Sequence, residues 1–227
     1  EGLSIALVDA DIFGPSIPKM FGIEDEKPEI AAFGDKEVLF PIVKYGVKIM
    51  SIGFFIDRNQ SLIWRGPMAG KAVTQLFSDT DWGEIDYMII DFPPGTSDIQ
   101  LTTVQKLNLS GALIVTTPQE ISLNDARKAA SMFTNPDLKV PILGVIENMS
   151  WFTPGKHPDE IYYIFGKGGG LQLAKEFDTV LLGQIPLVKE VGEAAEKGLS
   201  VFSQNNKPVV KAFEEIAGLI LSKTEQA

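Results

Sequence analysis

The 227-residue chain fits one large α/β domain or two small ones, and it buries enough surface to fold without metal or disulfide staples. It has no cysteine, so it forms no disulfide and offers no thiolate to a zinc or iron–sulfur site. Its 20 basic and 30 acidic side chains give a formal charge of −10, which argues against duplex-DNA binding yet leaves ATP open, because a nucleotide needs only local donors.

The first segment, Leu3 to Val8, is an apolar run with little alternation, the pattern of a strand covered on both faces in a parallel sheet. Asp9-Ala10-Asp11 sits at its C-terminal end, and Gly14-Pro15-Ser16 marks a turn. Residues 24–48 are mixed and polar, consistent with a hairpin or an irregular excursion. Lys48 to Phe54 reads as a short strand and Gly66 to Phe77 as a helix. Tyr87 to Ile90 is a second buried-type strand, followed by Asp91 and broken at Pro93-Pro94-Gly95.

Ile99 to Leu107 is the next expected helix, and Gly111 to Thr116 the third buried-type strand. Ser122 to Phe133 predicts a helix that Ser122 caps. Ile142 to Glu147 is a fourth such strand, ending at Asn148. Trp151 to Tyr163 reads as an exposed loop, and Gly168 to Phe177 as a helix after a glycine-rich start. Val180 to Leu182 is a short strand leading to Gly183-Gln184-Ile185-Pro186, and helices over Val188–Lys197 and Val209–Ser222 complete the chain. Strand and helix signals alternate throughout, which predicts a mostly parallel sheet with helices on both faces, in one domain. No apolar run reaches membrane-spanning length, and the start shows neither a basic leader nor a small-residue cleavage site. A soluble, cytoplasmic protein is expected.

Ligands of open α/β sheets collect beyond the carboxyl ends of the strands, where Asp9, Asp11, Asp91, Thr116 and Asn148 all fall. Aspartates at i and i+2 on an extended segment point the same way, so Asp9 and Asp11 can face one cation or water, and Asp91 can approach from a second strand. This is the acidic half of a magnesium–phosphate site, since magnesium takes oxygen ligands and keeps several waters. The other half, a glycine loop of the form G-x-x-x-x-G-K-[ST], does not occur in the chain. Gly166-Lys167-Gly168-Gly169-Gly170 has related residue types but no Ser or Thr following a lysine, and it is expected to be a structural turn.

Several segments together resemble the Mrp/NBP35-type ATP-binding proteins, iron–sulfur cluster carriers within the MinD/ParA-like P-loop ATPases. They are LSIALVDADIFGPSIPKMFG (3–22), MSIGFF (50–55), WRGPM (64–68), DYMIIDFPPGTSD (86–98), GVIENMSWF (144–152), YYIFGKGGG (162–170) and LLGQIP (181–186). The resemblance implies a three-layer α/β/α P-loop NTPase fold, ATP and magnesium as cofactors, and a homodimer that works with iron–sulfur assembly or recipient proteins. It implies that Asp11 orients the water that attacks ATP, that Asp9 lies near magnesium through water, and that Asp91 is the magnesium-associated carboxylate. It also implies that Gly95 senses the γ-phosphate, that Asn148 reads the adenine edge and that Pro186 lines the base pocket.

Two departures from the family pattern carry expectations. The family places a K-G-G-x-G-K-[ST] loop after a strand and before a helix that leads into the LSIALVDAD strand. This sequence begins at the latter strand, so we expect a shortened version of a longer protein, lacking its first strand, phosphate loop and most of its first helix. Such a fragment is expected to be a poor ATPase with an unpaired strand edge. Many members also carry a Cys-x-x-Cys pair where this chain reads Thr153 to Ile161, so a cluster is doubtful here and His157 alone makes no site. The alternatives are a MinD/ParA-like ATPase acting on a protein partner or cargo without a cluster, and a non-catalytic scaffold.

Overall fold

The computed structural model describes residues 2–34, 36–56, 66–96, 98–203 and 207–225. Trp64 and Arg65 of the WRGPM segment and Ser97 of the DYMIIDFPPGTSD segment lie outside the described residues. The chain divides into two compact units, residues 1–106 with 195–199, and residues 107–194 with 200–227.

The first unit is built on β1 (Ile5–Asp9), at the centre of a sheet of order β4-β5-β1-β6. β5 (Val47–Ser51) and β6 (Tyr87–Asp91) flank it in parallel, and β4 (Ile42–Lys44) adds antiparallel to β5. Register places Asp9 beside Ser51 on one side and Asp91 on the other, so three polar residues end three apolar strands at one level. Short helix α1 (Ile17–Phe21) follows the Gly14-Pro15 turn and ends at Gly22, whose left-handed φ of 64° suits glycine. Helices α2 (Gly66–Ser78) and α3 (Asp98–Lys106) belong to this unit, as does a hairpin of β2 (Glu29–Phe33) and β3 (Lys36–Phe40). Val8, Ile49, Met50, Phe54 and Val73 form its dry core, each contributing roughly 1.5–3 kcal/mol of burial.

The second unit holds a parallel sheet of order β7-β8-β9: Ala112–Thr116, Ile142–Glu147 and Leu181–Gln184. Its helices are α4 (Glu120–Phe133), α5 (Gly169–Glu176), α6 (Lys189–Glu196) and α7 (Lys207–Thr224). Helix α7 sits so close to β9 that a Cβ on Gly183 would lie 2.4 Å from Cγ1 of Ile216. Ile146, Leu182, Ile185 and Ile216 form the core beneath it.

The alternation of elements is as expected, with local differences. The fifth strand stops at Ser51, because the Ser51 hydroxyl takes the Gly53 N–H at 2.9 Å and turns Ile52–Phe54 into a 3₁₀ helix. Helix α4 starts at Glu120, two residues before the expected cap; the Ser122 hydroxyl instead meets Thr117 Oγ1 at 2.7 Å. The segment 24–48 resolves into the hairpin and β4. β6 and β7 each end a sheet, and Ile89 and Val115 on them are 53% and 60% exposed, unusual for apolar parallel strands.

Of the glycine run at 166–170, residues 166–168 form the expected turn, while Gly169 and Gly170 already open α5. Gly166 and Gly168 hold φ of 93° and 80°, and a Cβ on Gly169 would lie 2.4 Å from the Pro118 carbonyl oxygen. The fully buried Glu147, last residue of β8, accepts the Gly170 N–H at 2.6 Å and the Gln184 side-chain amide at 2.5 Å. A carboxylate of the chain itself therefore occupies the amino end of α5, where helix amides favour negative charge. Glu147→Ala strands these two donors and should cost about 2–4 kcal/mol in urea unfolding, with Glu147→Gln costing less. A change below about 0.5 kcal/mol for the alanine variant would contradict the assignment.

Candidate functional site

The acidic residues of the first unit have distinct surroundings. Asp9 is fully buried. Its Oδ2 accepts the Ser51 hydroxyl at 2.8 Å and the Ile17 N–H at 3.3 Å, and its Oδ1 accepts the Asp11 N–H at 3.2 Å. The carboxylate thus fastens β5, the turn after β1 and the start of α1 to one point. Ala10 N–H donates to the Asp91 carbonyl at 2.9 Å and carries the pairing with β6 one residue past β1.

Asp11 does not continue the strand. The chain leaves β1 at Asp9 and turns, so the two aspartates are not alternating members of one extended segment. Asp11 Oδ1 accepts the N–H groups of Phe13 and Gly14 at 3.0 and 3.2 Å; among the described residues its Oδ2 has no hydrogen-bond partner. Asp91 ends β6 half-buried. Burial, and then the charge of Asp11, raise its pKa above the ordinary aspartate range. These two carboxylates repel across the loop, which a cation would relieve.

Gly95 follows Pro93-Pro94 with φ of 87°, a conformation that disfavours any side chain, although a Cβ there would meet nothing within 4 Å. The Gln100 side chain donates to the Pro93 carbonyl and holds this turn against the start of α3.

In the second unit, Asn148 leaves the end of β8 with its N–H on the carbonyl of Thr116, the buried last residue of β7, at 2.7 Å. Its Oδ1 accepts the Met149 N–H at 2.9 Å while Met149 takes a left-handed φ of 53°. The chain beyond runs beside the segment after β9: Ser150 N–H donates to the Ile185 carbonyl at 3.0 Å and Leu187 N–H to the Trp151 carbonyl at 2.7 Å. Asn148 and the buried Pro186 therefore stand on neighbouring segments of this unit. Ser51 and Glu147 are the site-organising residues that sequence reasoning missed. Each acts on partners distant in the chain, and no spacing signal marks them.

Oxygen donors at Asp11 and Asp91 fit magnesium in kind. Among the described residues, no group of three or more His, Cys, Asp or Glu side chains is placed to hold a metal by itself. A thiolate-bound cluster does not fit the chain, which has no cysteine.

Burial chiefly raises the Asp9 pKa from 3.8 to about 6; the Asp91 charge adds to this, and hydrogen bonds from Ser51, Asp11 and Ile17 oppose it. The folded state thus binds this proton more tightly than the unfolded state. The resulting stabilisation is complete below pH 3.8 and is lost as pH rises through about 6. Stability of the parent relative to Asp9→Asn should fall by about 2.5 kcal/mol between pH 4 and pH 7.5 in urea titrations. Parallel pH profiles for the two proteins would contradict the burial of this charge.

The family model described as ParA: NUBPL iron-transfer P-loop NTPase matches residues 1–221. The iron-sulfur cluster carrier protein of Aquifex aeolicus (strain VF5) is 42% identical over 226 residues, which cover 99% of this chain and 60% of that protein. That of Escherichia coli (strain K12) is 40% identical over 227 residues, covering 98% and 59%. The chain thus spans about 60% of the length of these curated relatives. Among solved structures, a nucleotide-binding protein in complex with ADP from Archaeoglobus fulgidus is 31% identical with a TM-score of 0.74, over 93% of this chain and 80% of that one. The septum site-determining protein MinD complexed with Mg-ADP from Pyrococcus horikoshii OT3 shares the fold at a TM-score of 0.64 and 19% identity, over 95% and 82%. With its family motifs, parallel strands and flanking helices, the chain has the three-layer α/β/α fold of MinD/ParA-like proteins and belongs to the iron-transfer P-loop NTPase family.

Proposed function

We propose that the whole protein is a cytoplasmic, homodimeric ATPase of the iron–sulfur cluster-carrier group, and that a segment outside this chain supplies its phosphate loop, as the greater length of the relatives supports. The observation that carries this reading is the division of labour among three carboxylates: Asp9 is engaged inside the fold, while Asp11 keeps one oxygen free and shares its surroundings with Asp91. The ADP complex of the Archaeoglobus fulgidus relative supports a nucleotide as ligand. Magnesium, when bound, neutralises phosphate charge. Asp91 would hold it, and Asp9, whose oxygens are engaged by Ser51, Asp11 and Ile17, would stand behind it across a bound water while fixing the loop. Asp11 Oδ2 holds and orients the attacking water, with its other oxygen anchored by two amides. Gly95 gives backbone access to the terminal phosphate, Asn148 reads adenine and Pro186 packs against the base. Among the described residues β6 pairs with β1 alone, which supports a further strand on its other edge, carrying the phosphate loop. This chain without that loop is expected to be inactive as an ATPase.

Asp11→Ala in the whole protein should lower phosphate release by about 10²-fold or more while ATP affinity holds, because a water-orienting group acts in the transition state. Unchanged turnover would remove Asp11 from the reaction.

The lack of cysteine favours a second reading, an ATPase that acts on a protein partner or cargo without a cluster. Anaerobic reconstitution of the whole protein with iron and sulfide distinguishes the two. If the whole protein, like this chain, has no cysteine, we expect no iron or sulfide to survive desalting. Stoichiometric retention of both would establish the carrier role and exclude the second reading.

A further inference from the structure

The turn that carries Asn148 is held more firmly than a connection between elements requires. β8 ends at Glu147, and three residues later the chain is paired with the segment after β9. Met149, between Asn148 and Ser150, holds a left-handed φ of 53°. A residue other than glycine or asparagine disfavours that conformation and keeps it only where its surroundings fix it. The Met149 side chain is itself exposed, so the fixing comes from its neighbours.

Ser150 is the neighbour that closes the turn. It is 1% exposed, and its hydroxyl donates to the Glu147 carbonyl at 2.8 Å. The Ile185 N–H donates to the same carbonyl at 2.9 Å, and the Ser150 N–H donates to the Ile185 carbonyl at 3.0 Å. The backbone bonds tie each end of the turn to Ile185, and the hydroxyl ties the two ends to each other. The closed turn decides which end of the Asn148 amide is left for a ligand. Asn148 N–H is held on the Thr116 carbonyl at 2.7 Å, and its Oδ1 accepts the Met149 N–H at 2.9 Å. A backbone N–H only donates, so the amide oxygen, not the nitrogen, faces Met149. Among the described residues Asn148 Nδ2 has no hydrogen-bond partner, and it stands ready as a donor.

We propose that Ser150 is a positioning residue for the nucleotide base: its hydroxyl fixes the turn from Glu147 to Ser150, and the turn presents the Asn148 amide nitrogen as a donor to a ring nitrogen of adenine. This role rests on the reading of Asn148 as the adenine contact. Without the hydroxyl, Met149 relaxes from its left-handed conformation, its N–H leaves Asn148 Oδ1, and the amide loses its fixed orientation.

The test is a double-mutant cycle in the whole protein, with ADP affinity read by calorimetry and Met149 amide hydrogen exchange read by NMR. Asn148→Ala and Ser150→Ala should each weaken ADP by about fivefold, and the double variant should bind ADP no more weakly than Asn148→Ala alone. The Met149 amide should exchange at least about tenfold faster in Ser150→Ala than in the parent. Ser150→Cys fills the same space with a weak donor; it should behave as Ser150→Ala and replaces it in the cycle if the alanine variant does not fold. Losses that multiply in the double variant would overturn the proposal. So would unchanged ADP binding by the Ser150 variant beside a weakened Asn148→Ala, or Met149 exchange as slow as in the parent. Unchanged ADP binding by Asn148→Ala would instead remove the adenine reading itself, and this role with it.

Discussion

The carboxylate of Asp9 sets the geometry of the acidic strand ends. It is a charge without solvent, held by one hydroxyl and two backbone amides that come from β5, the turn after β1 and the start of α1. Removing a carboxylate from water is costly, and burial raises its pKa accordingly. In return, three segments converge on one point, and the loop that carries Asp11 leaves the sheet in a fixed direction. Ser51 extends the arrangement, since the same hydroxyl that donates to Asp9 accepts the Gly53 N–H and ends β5.

The second unit uses the same device with different residues. Glu147 also ends a central parallel strand, is also fully buried, and also accepts a backbone amide at the start of a following element. Its Cβ would lie 2.8 Å from a Cβ placed on Gly170, which explains the glycine where α5 meets β8. Asn148 follows directly, so the adenine-side segment proposed for this protein begins at an anchored residue. In both units a buried acid at a strand end organises the loop that follows.

The strands were legible because short apolar runs such as Tyr87–Ile90 and Gly111–Thr116 are bounded by turn residues, although Ile89 and Val115 on them are exposed, which the runs did not foretell. Asp9, Asp11 and Asp91 were legible as a group because each falls at or just beyond such a run. Their differing roles were not. Side-chain alternation made Asp9 and Asp11 equivalent, and the turn that separates them depends on Ser51, 42 residues away from Asp9. Ser122 has the residue type of a helix cap, but the helix begins at Glu120, and the serine hydroxyl accepts from Thr117 Oγ1. The roles of Gly95, Asn148 and Pro186 came from family resemblance; local chemistry explains their backbone settings without assigning a ligand.

The most direct test of this division of labour is carboxyl-carbon NMR of Asp9, Asp11 and Asp91 in the whole protein, with magnesium and ADP added stepwise at pH 7. Addition should move the Asp11 and Asp91 resonances together, while Asp9 keeps its shift because its oxygens remain bonded to Ser51, Asp11 and Ile17. A large early shift of Asp9, with Asp11 and Asp91 unmoved, would show that the buried carboxylate is the ligand-facing group and contradict the account.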